Sequence, residues 1–251
     1  MIFDTHAHYD DTAFNEDRYD LLEKILSGTV SNIVNQGTDV KTSQFSIDLA
    51  ERFDGIYAAT GLHPEYLKEV SESDIEEIRR LAKHPKAVAI GEIGLDYYYD
   101  TPADIQKEVF RRMLELAQEL DMPVNIHDRE AHGDMMDFMR KYRPEGIMHC
   151  FSGSAEMAAE LVRLGMYIGI GGVITFKNAR KAVEVVSAVP HDRLVLETDC
   201  PYLAPVPFRG KRNDSSYIAY TAQKVAEIWE VSAEEVIRQT AENAKTVYKI
   251  K

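Results

Sequence analysis

The fold class this sequence predicts is α/β: a (β/α)8 barrel of the TIM type with an extra helix at the C-terminal end. Three observations predict it. Eight apolar, strand-like runs alternate with eight helix-like segments, which with short connections means a mostly parallel sheet. The 251 residues match the usual size of one such barrel, so a single domain over residues 1–251 is expected. Side chains able to bind metal recur just after the strand-like runs, and only a fold whose loops open on one face brings them together.

The strand-like runs begin near residues 2, 31, 56, 87, 123, 146, 166 and 194. Helix-like segments fall at about 17–27, 41–53, 72–83, 102–120, 130–142, 154–164, 178–187 and 214–229. The fourth is the clearest: Val109, Phe110, Met113, Leu114, Leu116, Ala117 and Leu120 form an apolar stripe at helical spacing, bracketed by Pro102 and Pro123. Beyond Val231, Ser232 and Glu235 resemble a capping box that opens one further helix. Its apolar face, Val236, Ile237, Ala241, Ala244, Val247 and Tyr248, is expected to pack across the barrel exterior or close its N-terminal end.

Composition narrows the function. No apolar run approaches the roughly 18 residues that span a bilayer. The acidic, polar opening MIFDTHAHYDD is unlike a secretory signal, and a cytoplasmic location is expected. A net charge of −13 argues against a protein that coats nucleic acid, though not against an enzyme that grips one or two phosphates with metals. Two carboxylate-free, basic islands interrupt the acidity: 161–183, with Arg163, Lys177, Arg180 and Lys181, and 200–213, with Arg209, Lys211 and Arg212. Cys150 and Cys200 are expected to point outward into the layer between barrel and helices, as small core residues without a disulfide.

His6 and His8 share one side of an extended backbone, so both can bind one cation. Further strand ends supply Glu92, His127, His149 and Asp199. A single catalytic zinc needs about three protein ligands, whereas six suit two divalent ions sharing a bridge. Glu92 is the expected bridge, because its two oxygens can hold separate cations. His6, His8 and Asp199 then serve one ion, and His127 and His149 the other. Two ions would clamp the attacking and leaving oxygens of a displacement and acidify a water, with Asp199 as general base. The mixed nitrogen and oxygen set suits Zn²⁺, Mn²⁺ or Ni²⁺ better than Mg²⁺, which prefers oxygen.

Around these, His63 after the third strand is expected to contact substrate or order its loop, and Arg129 after the fifth to hold a phosphate by bidentate hydrogen bonds or to form a structural ion pair. Asp96 is expected to orient a ligand imidazole, and Tyr97, Tyr98 and Tyr99 to stack on a base or cover the barrel rim. Gly171 and Gly172 would let backbone approach a ligand, or form a turn. His84 and His191 read as surface residues; His132 lies at a helix start near the site.

Together these stretches resemble the TatD family of metal-dependent deoxyribonucleases. The matching segments are Asp4-Thr5-His6-Ala7-His8, Gly61-Leu62-His63-Pro64, Gly91-Glu92-Ile93-Gly94-Leu95-Asp96-Tyr97, His127-Asp128-Arg129-Glu130-Ala131, His149-Cys150-Phe151-Ser152-Gly153 and Glu197-Thr198-Asp199-Cys200-Pro201-Tyr202-Leu203, with Arg209-Gly210 beyond. The glutamate and Glu-Thr-Asp motifs are specific, whereas His-x-His is shared with many hydrolases. One departure is Asp214-Ser215-Ser216 after Asn213, where the family often has proline. The resemblance implies a TIM-type barrel, a divalent-metal centre on the six ligands, and hydrolysis of DNA phosphodiesters, with 3′→5′ exonuclease activity usually assayed with Mg²⁺. It makes DNA, as single strands or 3′ ends, the expected partner, and Arg209 a substrate contact; no membrane or protein partner is implied. The competing enzyme reading is an amidohydrolase, lactonase or phosphotriesterase for a small molecule. Many of these bridge their metals with a carboxylated lysine on the fourth strand, where this chain has Glu92 and no lysine. A non-enzymatic metal-binding scaffold is the remaining alternative.

Overall fold

A computed structural model describes residues 1–250. Eight parallel strands, β1 (Ile2–Ala7), β2 (Val30–Gln36), β3 (Ile56–Thr60), β4 (Ala87–Asp96), β5 (Val124–Arg129), β6 (Gly146–Met148), β7 (Met166–Ile170) and β8 (Leu194–Leu196), pair in chain order. Between them run α1 (Arg18–Leu26), α2 (Val40–Arg52), α3 (Glu72–Ala82), α4 (Ala103–Leu120), α5 (His132–Tyr142), α6 (Ala155–Arg163) and α7 (Arg180–Ala188); α8 (Ile218–Trp229) and α9 (Ala233–Val247) follow β8. The expected TIM-type barrel with an extra C-terminal helix is what the chain forms.

Strand alternation sorts side chains into two apolar groups. Outward residues such as Ile33, Ile56, Ile90, Ile126, Met148, Ile168 and Leu194 pack against the helices, where α4 presents its predicted stripe through Phe110, Met113 and Leu114. Inward residues Phe3, Val34, Ala59, Ala89, Ile147, Tyr167 and Val195 fill the barrel. Burial of each large apolar side chain contributes about 1.5–3 kcal/mol.

The inner group includes Ala244, Val247 and Tyr248, so the chain's end closes the N-terminal end of the barrel, one of the two roles expected for α9. Tyr248 stacks on Phe3 at 6.0 Å, and its hydroxyl donates to the Thr5 carbonyl at 2.9 Å. Asn243 donates to the carbonyls of His191 and Leu194. Of the predicted capping box only half forms: Ser232 accepts from the Glu235 amide, while the Glu235 carboxylate turns to Arg238.

The barrel seam between β1 and β8 is sewn chiefly at the C-terminal end. Ala7 bridges to Cys200, the His8 amide donates to the Cys200 carbonyl at 2.8 Å, and the Asp199 amide to the His6 carbonyl at 2.9 Å. Buried Asp4 adds bonds from the Thr198 amide and hydroxyl at 3.0 and 2.6 Å. The seam thus sets the spacing between His6, His8 and Asp199. Among the described residues no helix is long and apolar enough to cross a membrane.

Candidate metal centre

Two register shifts aim the key side chains. Along β1 the chain advances from Asp4 to Ala7 while β2 advances only from Ile33 to Asn35. Along β4 it advances from Ile90 to Ile93 while β5 advances only from Val124 to Ile126. An extra residue in one strand exchanges its inward and outward faces and re-aims the side chain there. Phe3 and Ala89 accordingly face the barrel interior, whereas Ala7 and Ile93 face the helices. His6 and Glu92 sit within the shifted stretches. Glu92 therefore lies inside a strand that continues to Asp96, rather than where a strand meets its loop. His127 likewise precedes the end of β5.

Glu92 is the hub. Its Oε2 lies 3.4 Å from Nε2 of both His6 and His8. Its Oε1 lies 3.1 Å from His127 Nδ1, 3.3 Å from His149 Nε2 and 3.5 Å from His63 Nε2. Asp199 Oδ1 completes the first side, 3.8 Å from His6 Nε2 and 3.5 Å from His8 Nε2. The six residues expected as ligands are thus brought together, each Glu92 oxygen facing a different set. His63, expected to meet substrate, joins the second set and groups with Glu92 and His127 as donors able to hold a cation.

Surrounding residues orient these groups. Asp96 Oδ2 lies 2.8 Å from His127 Nε2, as expected for a carboxylate that fixes the ring. Glu197, buried inside the barrel, accepts from the Cys150 amide at 2.5 Å and lies 3.5 Å from His149 Nδ1. Sequence reading assigned Glu197 no role of its own; its place two residues before Asp199, on the inward face, was the available signal. Gly169 makes room for it, since a Cβ there would come within 2.5 Å of the carboxylate. Arg18, also missed, is buried and ties the loop after His8 by donating to the carbonyls of Tyr9, Asp10 and Asp11.

Burial works against ionisation of Glu92, but the charges of His63, His6 and His149 and the hydrogen bond from His127 outweigh it, holding its pKa well below the usual value. Asp199 shows the same balance, led by burial and reversed by His8, and its pKa is lowered. Burial and the neighbouring His149 push His6 down to about 4. For His8 burial is outweighed by Asp199 and Glu92, and the pKa rises to about 10. His127 rises to about 9 because Asp96 and Glu92 overcome burial.

The donor set fits divalent cations. Nε2 atoms of His6 and His8 converge at 3.1 Å beside two ionised carboxylates. Such a buried concentration of lone pairs needs protons or metal ions between its members.

The centre floors a cleft of about 650 Å³. Its lining includes seven carboxylates, Asp10, Asp11, Glu65, Glu92, Asp96, Asp128 and Asp199, against one guanidinium, Arg129. Tyr66, Tyr99, Tyr202 and Leu203 form its exposed rim. Arg129 stacks on Tyr98 at 3.8 Å, and Tyr97 instead donates to Asp134. Arg209 is not among the lining residues; it stacks on Phe176 at 4.4 Å.

Cys150 departs from expectation: it lines the cleft instead of the outer layer. β6 ends at Met148, and Cys150 adopts a φ of 43°, so strand alternation no longer governs it. Cys200 is buried in the outer core as expected. Gly172 admits the chain's own Leu203–Pro205 backbone, which a Cβ would strike at 2.4 Å. His132 pairs with Asp128 at 2.8 Å, His84 with Glu51, and His191 stacks on Trp229.

The family model described as TatD related DNase matches residues 3–249. A Bacillus subtilis protein named as the uncharacterized metal-dependent hydrolase YabD is 46% identical over 254 residues, covering 100% of both chains. The 3′-5′ ssDNA/RNA exonuclease TatD of Pantoea vagans is 33% identical over 259 residues, covering 99% of this chain and 100% of its own. Among solved structures, the TatD homologue YjjV of Escherichia coli K12 superposes with a TM-score of 0.94 at 31% identity, covering 100% of this chain and 98% of its own. The chain belongs to the TatD-related DNase family and is a metal-dependent hydrolase by its relatives' shared description, one of them being named an exonuclease.

Proposed function

We propose that this TatD-family member is a metal-dependent hydrolase that cleaves DNA phosphodiester bonds, removing nucleotides from 3′ ends of single strands. One observation carries the reading: Glu92 Oε2 faces His6 and His8, with Asp199 beside them, while Oε1 faces His127, His149 and His63, and His149 also groups with His6 and Asp199. Two divalent ions held on these sets supply Lewis acidity and charge neutralisation for an in-line displacement at phosphorus. By donor chemistry the imidazole-rich set suits Mn²⁺, Zn²⁺ or Ni²⁺, and Mg²⁺ is the activating ion that the family resemblance implies.

The protein's own groups do the rest. Asp199, with its side chain open to the cleft, takes the proton from the attacking water. Asp96 and Glu197 keep the rings of His127 and His149 turned toward Glu92. Arg129 is the one guanidinium in the lining and pairs with a phosphate oxygen, its plane held against Tyr98. A cleft with seven carboxylates repels a bare phosphodiester, so cations are a condition of binding as well as of chemistry. Tyr66, Tyr99 and Tyr202 offer π faces to unstacked bases, which favours an unpaired substrate.

The test is release of nucleotides from linear single-stranded DNA with added Mg²⁺ or Mn²⁺, beside a closed single-stranded circle. Mononucleotides from the linear strand and an intact circle are expected. Hydrolysis of an amide or lactone by a preparation that leaves DNA untouched would overturn the substrate assignment.

A further inference from the structure

We propose that the loops after β7 and β8 form a track for the upstream, 5′-side nucleotides of the substrate, leading from the cleft rim to Arg209, Lys177 and Lys211. The proposal rests on the nuclease reading above and adds where the uncut part of the strand lies.

The two loops make one surface. Gly172 packs against the Leu203–Pro205 backbone, and the Thr175 hydroxyl accepts from the Val206 amide at 2.9 Å. Tyr202 and Leu203 belong to the cleft lining, and the same loop carries Arg209 over Phe176, beside which Lys177 lies in sequence. The loop residues that line the cleft and those that carry the cations thus belong to one packed pair of loops.

Its cations are not spent on carboxylates. Several arginines on the outer helices are engaged by carboxylates, Arg79 with Glu119, Arg111 with Glu115, Arg140 with Glu160 and Arg238 with Glu242, whereas Arg52 stacks on Tyr19. Arg212, in the same basic island, is held by Asp17. Among the described residues Arg209, Lys177 and Lys211 form no ion pair, and all three are exposed. Stacking on Phe176 orients the Arg209 guanidinium through its face and leaves its N–H edge donors unspent. Tyr202 and Leu203 on the rim and Val206 beyond it expose 53%, 37% and 46% of their surface. Exposed apolar faces interleaved with unpaired cations are what a flexible strand needs, bases on the former and phosphates on the latter. On a protein of net charge −13, three such cations together also steer a polyanion to the cleft.

The test compares kcat/KM for a long oligothymidylate and for the thymidine dinucleotide, in wild type, Arg209→Glu and the double variant Lys177→Glu/Lys211→Glu. Both substrates are measured on one preparation, so a loss of folded enzyme cancels in the ratio. The long-to-short ratio is expected to fall by about tenfold or more in each variant, and the salt slope of KM for the long strand to flatten by about 0.7 per lost phosphate contact. Ratios and slopes equal to those of wild type would overturn the track while leaving the nuclease reading intact. A wild type that cleaves neither oligonucleotide but hydrolyses another ester would remove both.

Discussion

The two ends of this barrel are built from the same eight strands and solve opposite problems. At the N-terminal end Phe3, Val247 and Tyr248 pack into one apolar plug, and the polar atoms there are paired: the Tyr248 hydroxyl with Thr5 and Asn125, the Asn243 amide with two carbonyls. At the C-terminal end five imidazoles crowd two carboxylates, and Nδ1 of His6, Nδ1 of His149 and Oε2 of Glu197 are buried with no hydrogen-bond partner. A buried polar atom without a partner costs about 1–3 kcal/mol. The floor is optimised for stability, and the mouth is kept in a state that a cation relieves. Substitutions at the two ends should therefore separate activity from stability.

The largest expected contrast is between Glu92→Ala and Tyr248→Ala. Loss of the shared carboxylate should lower kcat by at least about 10²- to 10³-fold, the scale of removing one charge-stabilising group, and strip bound metal with the fold retained. Loss of the plug ring should cost about 3–5 kcal/mol of stability, with little change in kcat per folded molecule. Turnover assays, elemental analysis and denaturant melts on both variants check this. If both variants lost activity in proportion to folded fraction, the division between mouth and floor would collapse.

A smaller effect sharpens the role of the unpaired groups. Glu197→Gln keeps the shape but removes the charge beside His149, and should weaken metal binding by about 10- to 100-fold. Titration of the chelated protein with Mn²⁺ measures it. An unchanged affinity would leave Glu197 as a packing residue only.

A separate contrast is in pH. The raised pKa values of His127, about 9, and His8, about 10, mean that metal must displace their protons at neutral pH. Affinity should thus climb with pH by about tenfold per unit for each proton released, the His127 contribution ending at about 9 and the His8 contribution at about 10. In the chelated protein the sign reverses: stability from protonated His127 is fully present below 6.5 and is lost as pH rises through about 9. Binding isotherms and melts at several pH values, with and without chelator, test both halves.

Much of this was readable in the chain because strands and helices announce themselves locally. Runs starting near residues 31 and 123 became β2 from Val30 and β5 from Val124, and the α4 stripe lies where its period put it. Histidines 127 and 149 follow unbroken alternation, inward after outward Ile126 and Met148, so their direction was legible. Alternation failed at Cys150, where a positive φ ends the strand's rule. Arg209 was judged by its motif, which carries no information on whether its loop faces the cleft or Phe176. Glu197 and Arg18 act through partners 47 and 9 residues away, contacts that no local pattern encodes.

The order of strands, the identity of the donor side chains and the apolar end helix follow from the sequence alone, since periods of two and 3.6 residues are local properties of the backbone. Which face His6 and Glu92 present was decided by the register shifts in β1 and β4, and the distance from His6 and His8 to Asp199 by the β1–β8 seam. Register and closure depend on hydrogen bonds between residues up to nearly two hundred positions apart, such as Asp4 with Thr198, and exist only once the barrel has closed.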